Sequence, residues 1–286
     1  MNTLDQAGST PRPQSLMLSF FGIHALGRDV ALSTGSLIDV FGPAGITEDA
    51  VRSTLTRMVK RGLLERYRRG RKTYFGPTER ATEVLRGGYD RVWHTGAVNR
   101  DWDGTWTLVG FSLPEAWRSE RHDLRSRLVW NGFGPLQNGL WVAPGTVDVP
   151  EVVAGLGLDS YLRVFQGATA VAPTDARTVL HTAFDVDSVA KGYEAFLARW
   201  STDAGDTGGA REAGEASALV RQLLLHTDWL EQVRQDPHLP AEHLPEGWPA
   251  ARAEERFHEL ALRYEAPARQ EAASALDLIP VADSPA

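Results

Sequence analysis

The spacing of apolar positions changes several times along the chain, and each spacing predicts a different element. Residues 1–14 (MNTLDQAGSTPRPQ) hold Gly, Ser and two prolines with little that packs, which predicts a mobile tail. From there the chain turns dense: Leu16, Met17, Leu18, Phe20, Phe21 and Ile23 predict a first, mostly buried helix. Ser33 and Thr34 offer an N-cap to a second helix carrying Leu37, Ile38, Val40 and Phe41, which Gly42, Pro43 and Gly45 end. Thr47 caps a third, with its hydroxyl placed to accept from free first-turn amides and Glu48 and Asp49 at the positive end of the helix dipole. In that helix Val51, Leu55, Met58 and Val59 form one buried stripe, and Gly62 supplies the stop. Residues 63–68 and 71–75 then read as two short strands about Arg69 and Gly70, where glycine provides the positive φ of a tight hairpin. A further helix is expected over 78–93.

The pattern then changes character. WTLVGFSL (106–113) reads as a strand, Pro114 starts a helix running to about Trp130, and 133–142 is extended. A short helix over 149–155, a strand over 161–166 and another strand near 169–171 follow. Strand, helix, strand, strand, helix, strand is the split pattern of a ferredoxin-like domain. Past Phe184 nearly everything is helical except DAGDTGGAREAGEA (203–216), a flexible loop by composition, and the last ten or so residues have no pattern. The expected class is α+β. A winged helix-turn-helix domain is expected over 15–95, a ferredoxin-like central α/β domain over 96–178 and an α-helical C-terminal domain over 179–275, between tails at 1–14 and 276–286. The first assignment follows from a helix pair, a polar-faced third helix and a hairpin in that order.

Composition narrows the function classes. With 286 residues, 42% hydrophobic and 23% charged, the chain is of the globular kind and long enough for two or three domains. The absence of cysteine excludes disulfides, thiolate metal sites and a cysteine nucleophile, and agrees with a cytoplasmic location. No basic segment followed by an apolar run opens the chain, and residues 16–23 are too short to span a bilayer, so no membrane partner is expected.

Charge changes the picture more. The net charge is -7, yet from Arg52 to Lys72 nine bases face one acid, Glu65, so this window carries +8 and the remainder -15. Residues 203–286 hold sixteen acids and seven bases. On the third helix Arg52, Thr56 and Lys60 lie four apart, as do Ser53, Arg57 and Arg61, so the side away from the apolar stripe is basic and hydroxyl-bearing. A charge run alone is ordinarily a solvated face that binds nothing. Here the bases sit on one helical face and one hairpin, and the order of elements is one that sets both against duplex DNA. Arg52, Ser53, Thr56 and Arg57 occupy the first half of the helix and are candidates to meet base edges, where arginine grips guanine through two bonds. Arg66, Arg68, Arg69, Arg71 and Lys72 are candidates for phosphates or a minor groove, and Lys60 and Arg61 for the backbone.

The chain resembles the PaaX family of bacterial transcriptional repressors over about residues 15–265. The resemblance rests on SLMLSFFG, on TEDAVRSTLTRMVKRGLLERYRRGRKTYF, on Thr78 and the helix after it, on TWTLVGFSLPEAWRSERHDLRSRLVWNGFGPLQNGLWVAPG, and on DPHLPAEHLPEGWPAARA, in that order. It implies a DNA-binding repressor, usually a homodimer, released from its operator by a small effector, an aryl-CoA thioester in the type member. The central fold it implies is similar to that of CRISPR-associated small nucleases, which carry an aspartate at the end of their first strand. Here that strand ends VGFSLP, with Ser112 and Leu113 and no acid, so the rival reading, a metal-dependent nuclease, lacks its ligand. Where the family shows an aromatic and an arginine after a helical histidine, this chain has Asp228 and Trp229.

Other constellations carry less. His238 and His243 are five apart and interrupted by Pro240, and His226 is in register with Leu219, Leu223 and Leu230 as a core residue would be, so neither a metal nor a cofactor is expected. GFGPLQNG lacks the lysine and hydroxyl of a phosphate loop. Of nine tryptophans, Trp102, Trp106, Trp117, Trp130 and Trp141 cluster in the central region, mostly as core. Arg221 and Trp229 are the expected effector contacts, facing a cavity where domains meet, with Arg221 toward a phosphate or carboxylate. A domain that binds protein through the basic element is a third reading, marked by a flat salt dependence.

Overall fold

In the computed structural model, which describes residues 12–201 and 217–281, the chain is a mixture of helices and two four-stranded sheets, an α+β protein. It parts into two units. The first takes the described residues up to Thr95, those of Ala195–Glu231 and those from Glu255; the second takes Gly96–Glu194 and Gln232–Glu254.

In the first unit α1 (Pro13–His24) starts at a proline whose fixed φ suits a first helical turn. After β1 (Val30–Ser33), Ser33 Oγ accepts from Ser36 N at 3.1 Å and starts α2 (Thr34–Phe41). Thr47 Oγ1 accepts from Ala50 N at 3.3 Å and starts α3 (Glu48–Lys60). That helix stops by a Schellman pair: with Gly62 at φ +66°, Gly62 N donates to Val59 O at 3.0 Å and Leu63 N to Met58 O at 2.9 Å. β2 (Leu64–Arg69) and β3 (Lys72–Pro77) make the hairpin, and α4 (Glu79–Asp90), capped by Thr78, runs into one π-helical turn at Arg91–Thr95. Phe20, Phe21, Leu32, Leu37, Phe41, Val51, Leu55 and Met58 are the center of the core, with Leu219 and Leu223 packed among them.

In the second unit β4 (Trp106–Phe111), α5 (Arg118–Trp130), β5 (Gly134–Gln137), β6 (Leu140–Pro144), α6 (Val149–Val153) and β7 (Leu162–Ala168) follow one another. Their sheet is antiparallel throughout, in the order β5-β6-β4-β7. Val109, Leu124, Leu128, Phe133 and Trp141 form one core cluster, and Trp106, Val142, Val179, Leu180 and Leu239 another. α7 (Ala176–Ala183) lies so close on β5 that a Cβ at Gly134 would stand 2.3 Å from Ala183 O, which is why only glycine fits there. Trp106 and Trp141 are buried, whereas Trp130 is exposed beneath the Arg234 guanidinium, 4.5 Å from its ring center.

Several expectations are corrected. α5 begins at Arg118 and not at Pro114, and no strand forms at 169–171. The hairpin loop is Gly70-Arg71, one residue later than expected, with positive φ at Gly70 alone. Pro13 and Gln14 already belong to α1; the expected N-terminal tail up to residue 11 and all of the expected loop at 203–216 lie outside the described residues. The helices α8 (Val186–Trp200), α9 (Ala218–Gln235) and α10 (Pro249–Ala275) are each divided between the two units.

The expected tail at 276–286 contains β8 (Leu278–Pro280), which pairs antiparallel with β1 through Val30↔Pro280, Ala31↔Ile279 and Leu32↔Leu278. The first sheet therefore reads β2-β3-β1-β8. Its cause is the open side of β1: the strand's free donors and acceptors are satisfied by the returning chain end.

Candidate nucleic-acid interface

The third helix turns Val51, Thr54, Leu55 and Met58 inward and leaves Arg52, Ser53, Thr56, Arg57 and Lys60 exposed. The two hydroxyls donate to helix carbonyls, Ser53 Oγ to Ala50 O at 3.1 Å and Thr56 Oγ1 to Arg52 O at 2.9 Å, which leaves both lone pairs of Thr56 and one of Ser53 available to a donor outside. Arg57 lies back along its own helix, donating to Ser53 Oγ at 3.3 Å and Thr54 Oγ1 at 2.8 Å. Arg61 donates to Gln14 Oε1 at 2.9 Å. All three partners are neutral, so these bonds match neither guanidinium with a carboxylate.

In the hairpin Arg66 and Arg68 share one face of β2, while Tyr67 and Arg69 share the other, because successive strand residues alternate. Arg66, Arg68, Arg69, Arg71 and Lys72 are all exposed. Tyr67 OH donates to Glu65 Oε2 at 2.7 Å; burial, and then this bond, push the phenol up to about 12. The hairpin's lone carboxylate is thus engaged by a neutral group and does not pair with the arginines.

The eleven residues singled out from the sequence all lie in this one unit, but they are not equivalent. The side chains of Lys60, Arg66, Arg68, Arg69 and Arg71 make no ion pair or hydrogen bond among the described residues. Arg52 is paired with Glu48 one turn back, through Nε at 2.8 Å and an outer nitrogen at 2.6 Å. Both partners are more than half exposed, and such a pair exchanges readily with a phosphate. Lys72 donates to Asp277 Oδ2 at 2.8 Å, and Tyr74 OH approaches the same carboxylate at 3.1 and 3.2 Å. The Lys72 bond holds the Asp277 carboxyl below its usual range, and the ammonium is raised in return. Asp277 is the functional neighbor that sequence reasoning missed. It stands in a segment without periodicity, and its one signal there is the apolar Leu276, Leu278 and Ile279 around it.

The expected effector pair fares differently. Trp229 has no exposed surface; its ring is stacked on Phe257 with centers 4.9 Å apart and lies 5.2 Å from Phe196. That leaves no face for a ligand, so the tryptophan belongs to the packed interior and not to a cavity wall. Arg221 is partly buried, about 12 Å along the same helix at 1.5 Å per residue, so the two side chains are not brought together. Asp228 is buried and accepts from Arg199 at 2.6 Å and from Trp200 Nε1 at 3.0 Å. His226 packs against Phe257 and Trp93, and burial, with His24 nearby, pushes it down to about 4, which keeps the ring neutral.

Among the described residues no three His, Cys, Asp or Glu side chains group as metal ligands, and β4 runs from Phe111 into Ser112 without an acid. No helix there is long and apolar enough to cross a membrane.

Comparison with known proteins matches three segments in chain order. Residues 12–81 match the family described as PaaX-like protein, residues 99–179 the PaaX protein central Cas2-like domain, and residues 184–274 the PaaX-like protein C-terminal domain. A curated relative, the transcriptional repressor PaaX of Escherichia coli (strain K12), is 27% identical over 245 residues, which cover 82% of this chain and 74% of the relative. A solved structure, the uncharacterized protein Rv0674 from Mycobacterium tuberculosis, has a TM-score of 0.58 at 22% identity, covering 92% of this chain and 99% of that one, a likeness of fold alone.

Proposed function

Because the chain belongs to the PaaX family, matched in all three of its segments, we propose that it is a DNA-binding transcriptional repressor and not an enzyme. In this reading residues 15–95 act as a winged helix-turn-helix, α3 enters the major groove with Arg52, Ser53, Thr56 and Arg57 toward base edges, and the hairpin is the wing. Lys60, Arg61, Arg66, Arg68, Arg69 and Arg71 meet phosphates or a minor groove and set register without reading much sequence. Lys72 leaves that group, since its charge is already matched by Asp277.

The observation that carries the reading is the set of five cations on one helix and its adjoining hairpin with no partner among the described residues. A solvated face usually mixes its signs, whereas an unmatched set awaits an anion. The β4–β7 sheet is taken as ferredoxin-like, from its order of strands and helices. The protein acts in the cytoplasm as a homodimer on a palindromic operator. Its two reading helices occupy successive major grooves about 34 Å apart, and a small effector, of the CoA-thioester class by family analogy, favors a conformation in which that spacing is lost. The burial of Trp229 removes one of the two residues first assigned to that effector and leaves Arg221 as the remaining candidate.

A gel-shift titration at low salt with duplexes from the region upstream of its own operon tests the reading. A preferred duplex, displaced by one of a panel of acyl- and aryl-CoA thioesters, is the expected result. Absence of any preferred duplex overturns it, and chelator-sensitive cleavage of the duplex would instead favor a nuclease.

A further inference from the structure

The end of the chain is tied into the sheet that carries the hairpin, and one residue makes most of the ties. Asp277 N donates to Ser36 Oγ at 2.8 Å, and Asp277 O accepts from Ser33 N at 2.9 Å, so its backbone sits at the start of α2. Its carboxylate accepts from Lys72 Nζ and Tyr74 OH, two residues apart on β3 and hence on one face of it. On its N-terminal side lies the end of α10, whose Ala275 O accepts from the same Ser36 Oγ at 3.4 Å. On its C-terminal side β8 pairs with β1, and Val281 N donates to Asp29 O at 2.7 Å.

A carboxylate beside a phosphate-binding hairpin is, by Coulomb's law alone, unfavorable for DNA. Two readings of Asp277 therefore predict opposite signs. As a charge brake it would weaken binding by neutralizing Lys72, and its removal would tighten the complex. As an anchor it would hold β3 in place, and its removal would loosen the hairpin and weaken the complex. The geometry favors the second. Tyr74 is buried, so its hydroxyl is a fixed point that meets both carboxylate oxygens, and the Asp277 backbone is fixed independently at Ser33 and Ser36. A brake needs none of these bonds. A two-stranded hairpin alone is marginally stable, and the support that β2 and β3 receive comes through β1 and its neighbors.

We propose that Asp277 is a positioning residue for the DNA-contacting hairpin, and that β8 is a working part of the DNA-reading unit. The inference rests on the DNA-binding reading above and adds to it a route by which the end of α10, two residues away, reaches the hairpin.

The test uses the full chain with Asp277→Ala and Asp277→Asn, the latter keeping an acceptor for Tyr74 without the charge. Thermal unfolding first confirms that each variant folds. Hydrogen exchange without DNA is then measured for the amides of residues 66–75, and affinity for the upstream duplex at two salt concentrations. The expected order is wild type, Asn, Ala, with faster hairpin exchange in Ala and affinity lower on the order of three- to tenfold, the worth of about one net hydrogen bond, despite the lost negative charge. Unchanged exchange over 66–75 overturns the proposal whatever the affinity does, and tighter binding by both variants identifies a charge brake instead. If the wild type fails to bind any duplex while exchange still rises in Asp277→Ala, the DNA-binding reading falls and the anchor stands.

Discussion

The clearest quantitative consequence concerns the hairpin tip. Arg69 and Arg71 flank and form the loop, both are exposed, and neither has a partner among the described residues. If each meets one phosphate, each contributes about 0.9 to the slope of log affinity against log salt. With Lys60, Arg66 and Arg68 added, and Arg61 left out because it is bonded to Gln14, the five unpartnered cations of one protomer make a slope of about -4.5 per half-site, so raising salt from 0.1 to 0.3 M weakens binding to each half-site by roughly 140-fold. Changing Arg69 and Arg71 together to alanine leaves about -2.7, and the same salt step then costs roughly 20-fold. At 0.1 M salt the double variant is weaker by about 60-fold, since each lost contact is worth about a factor of eight there. Both positions are solvated, so the fold should be untouched, within about 0.5 kcal/mol. Lys72→Ala is the internal comparison: its ammonium is already matched by Asp277, and its slope should move far less. Fluorescence anisotropy on a labeled upstream duplex over a salt series reads all of these. A wild-type slope near zero, or a double variant with the wild-type slope, refutes the assignment of the hairpin to phosphates.

Three further outcomes are expected. Trp229→Ala should lower stability by about 3–5 kcal/mol in urea unfolding, the range for emptying a large buried aromatic site; a near-neutral change would mean that the ring is not core. Gly134→Ala should prevent the second unit from folding normally, because its Cβ meets the Ala183 carbonyl at 2.3 Å, and an unaltered circular-dichroism melt would contradict that packing. His24 is pushed down to about 4 by burial, and secondarily by Arg28, and His226 likewise by burial and by His24, from a model-peptide value of 6.5. Between those values the unfolded chain binds protons that the folded chain refuses, so stability is full above 6.5 and falls as pH drops toward 4. His24 alone contributes a loss of roughly 2 kcal/mol by pH 5. Equal urea midpoints at pH 7 and 5 would show that these rings are not desolvated.

Much of the first unit was legible because its signals are local. A capping hydroxyl three residues before the amide it binds, an apolar stripe at helical spacing and a glycine after the last turn of α3 are all contained in a dozen residues, and Thr47, Val51, Leu55, Met58 and Gly62 do what their spacing predicts. The same locality revealed the basic face. It did not reveal which cations are free, since Arg52 and Lys72 are distinguished from Arg66 or Arg71 only by where Glu48 and Asp277 point.

By itself, then, the amino-acid order determined the helices with their caps, the hairpin and the concentration of positive charge, all of them consequences of short-range periodicity and capping. Only the tertiary structure decided that the chain's far end closes the first sheet, that Trp229 is interior, and that the C-terminal helices are shared between two units. Asp277 meets Ser36 across 241 residues. A three-residue strand so distant from its partner leaves no local pattern; it forms because the free edge of β1 must be satisfied, a requirement that exists only once the rest has folded.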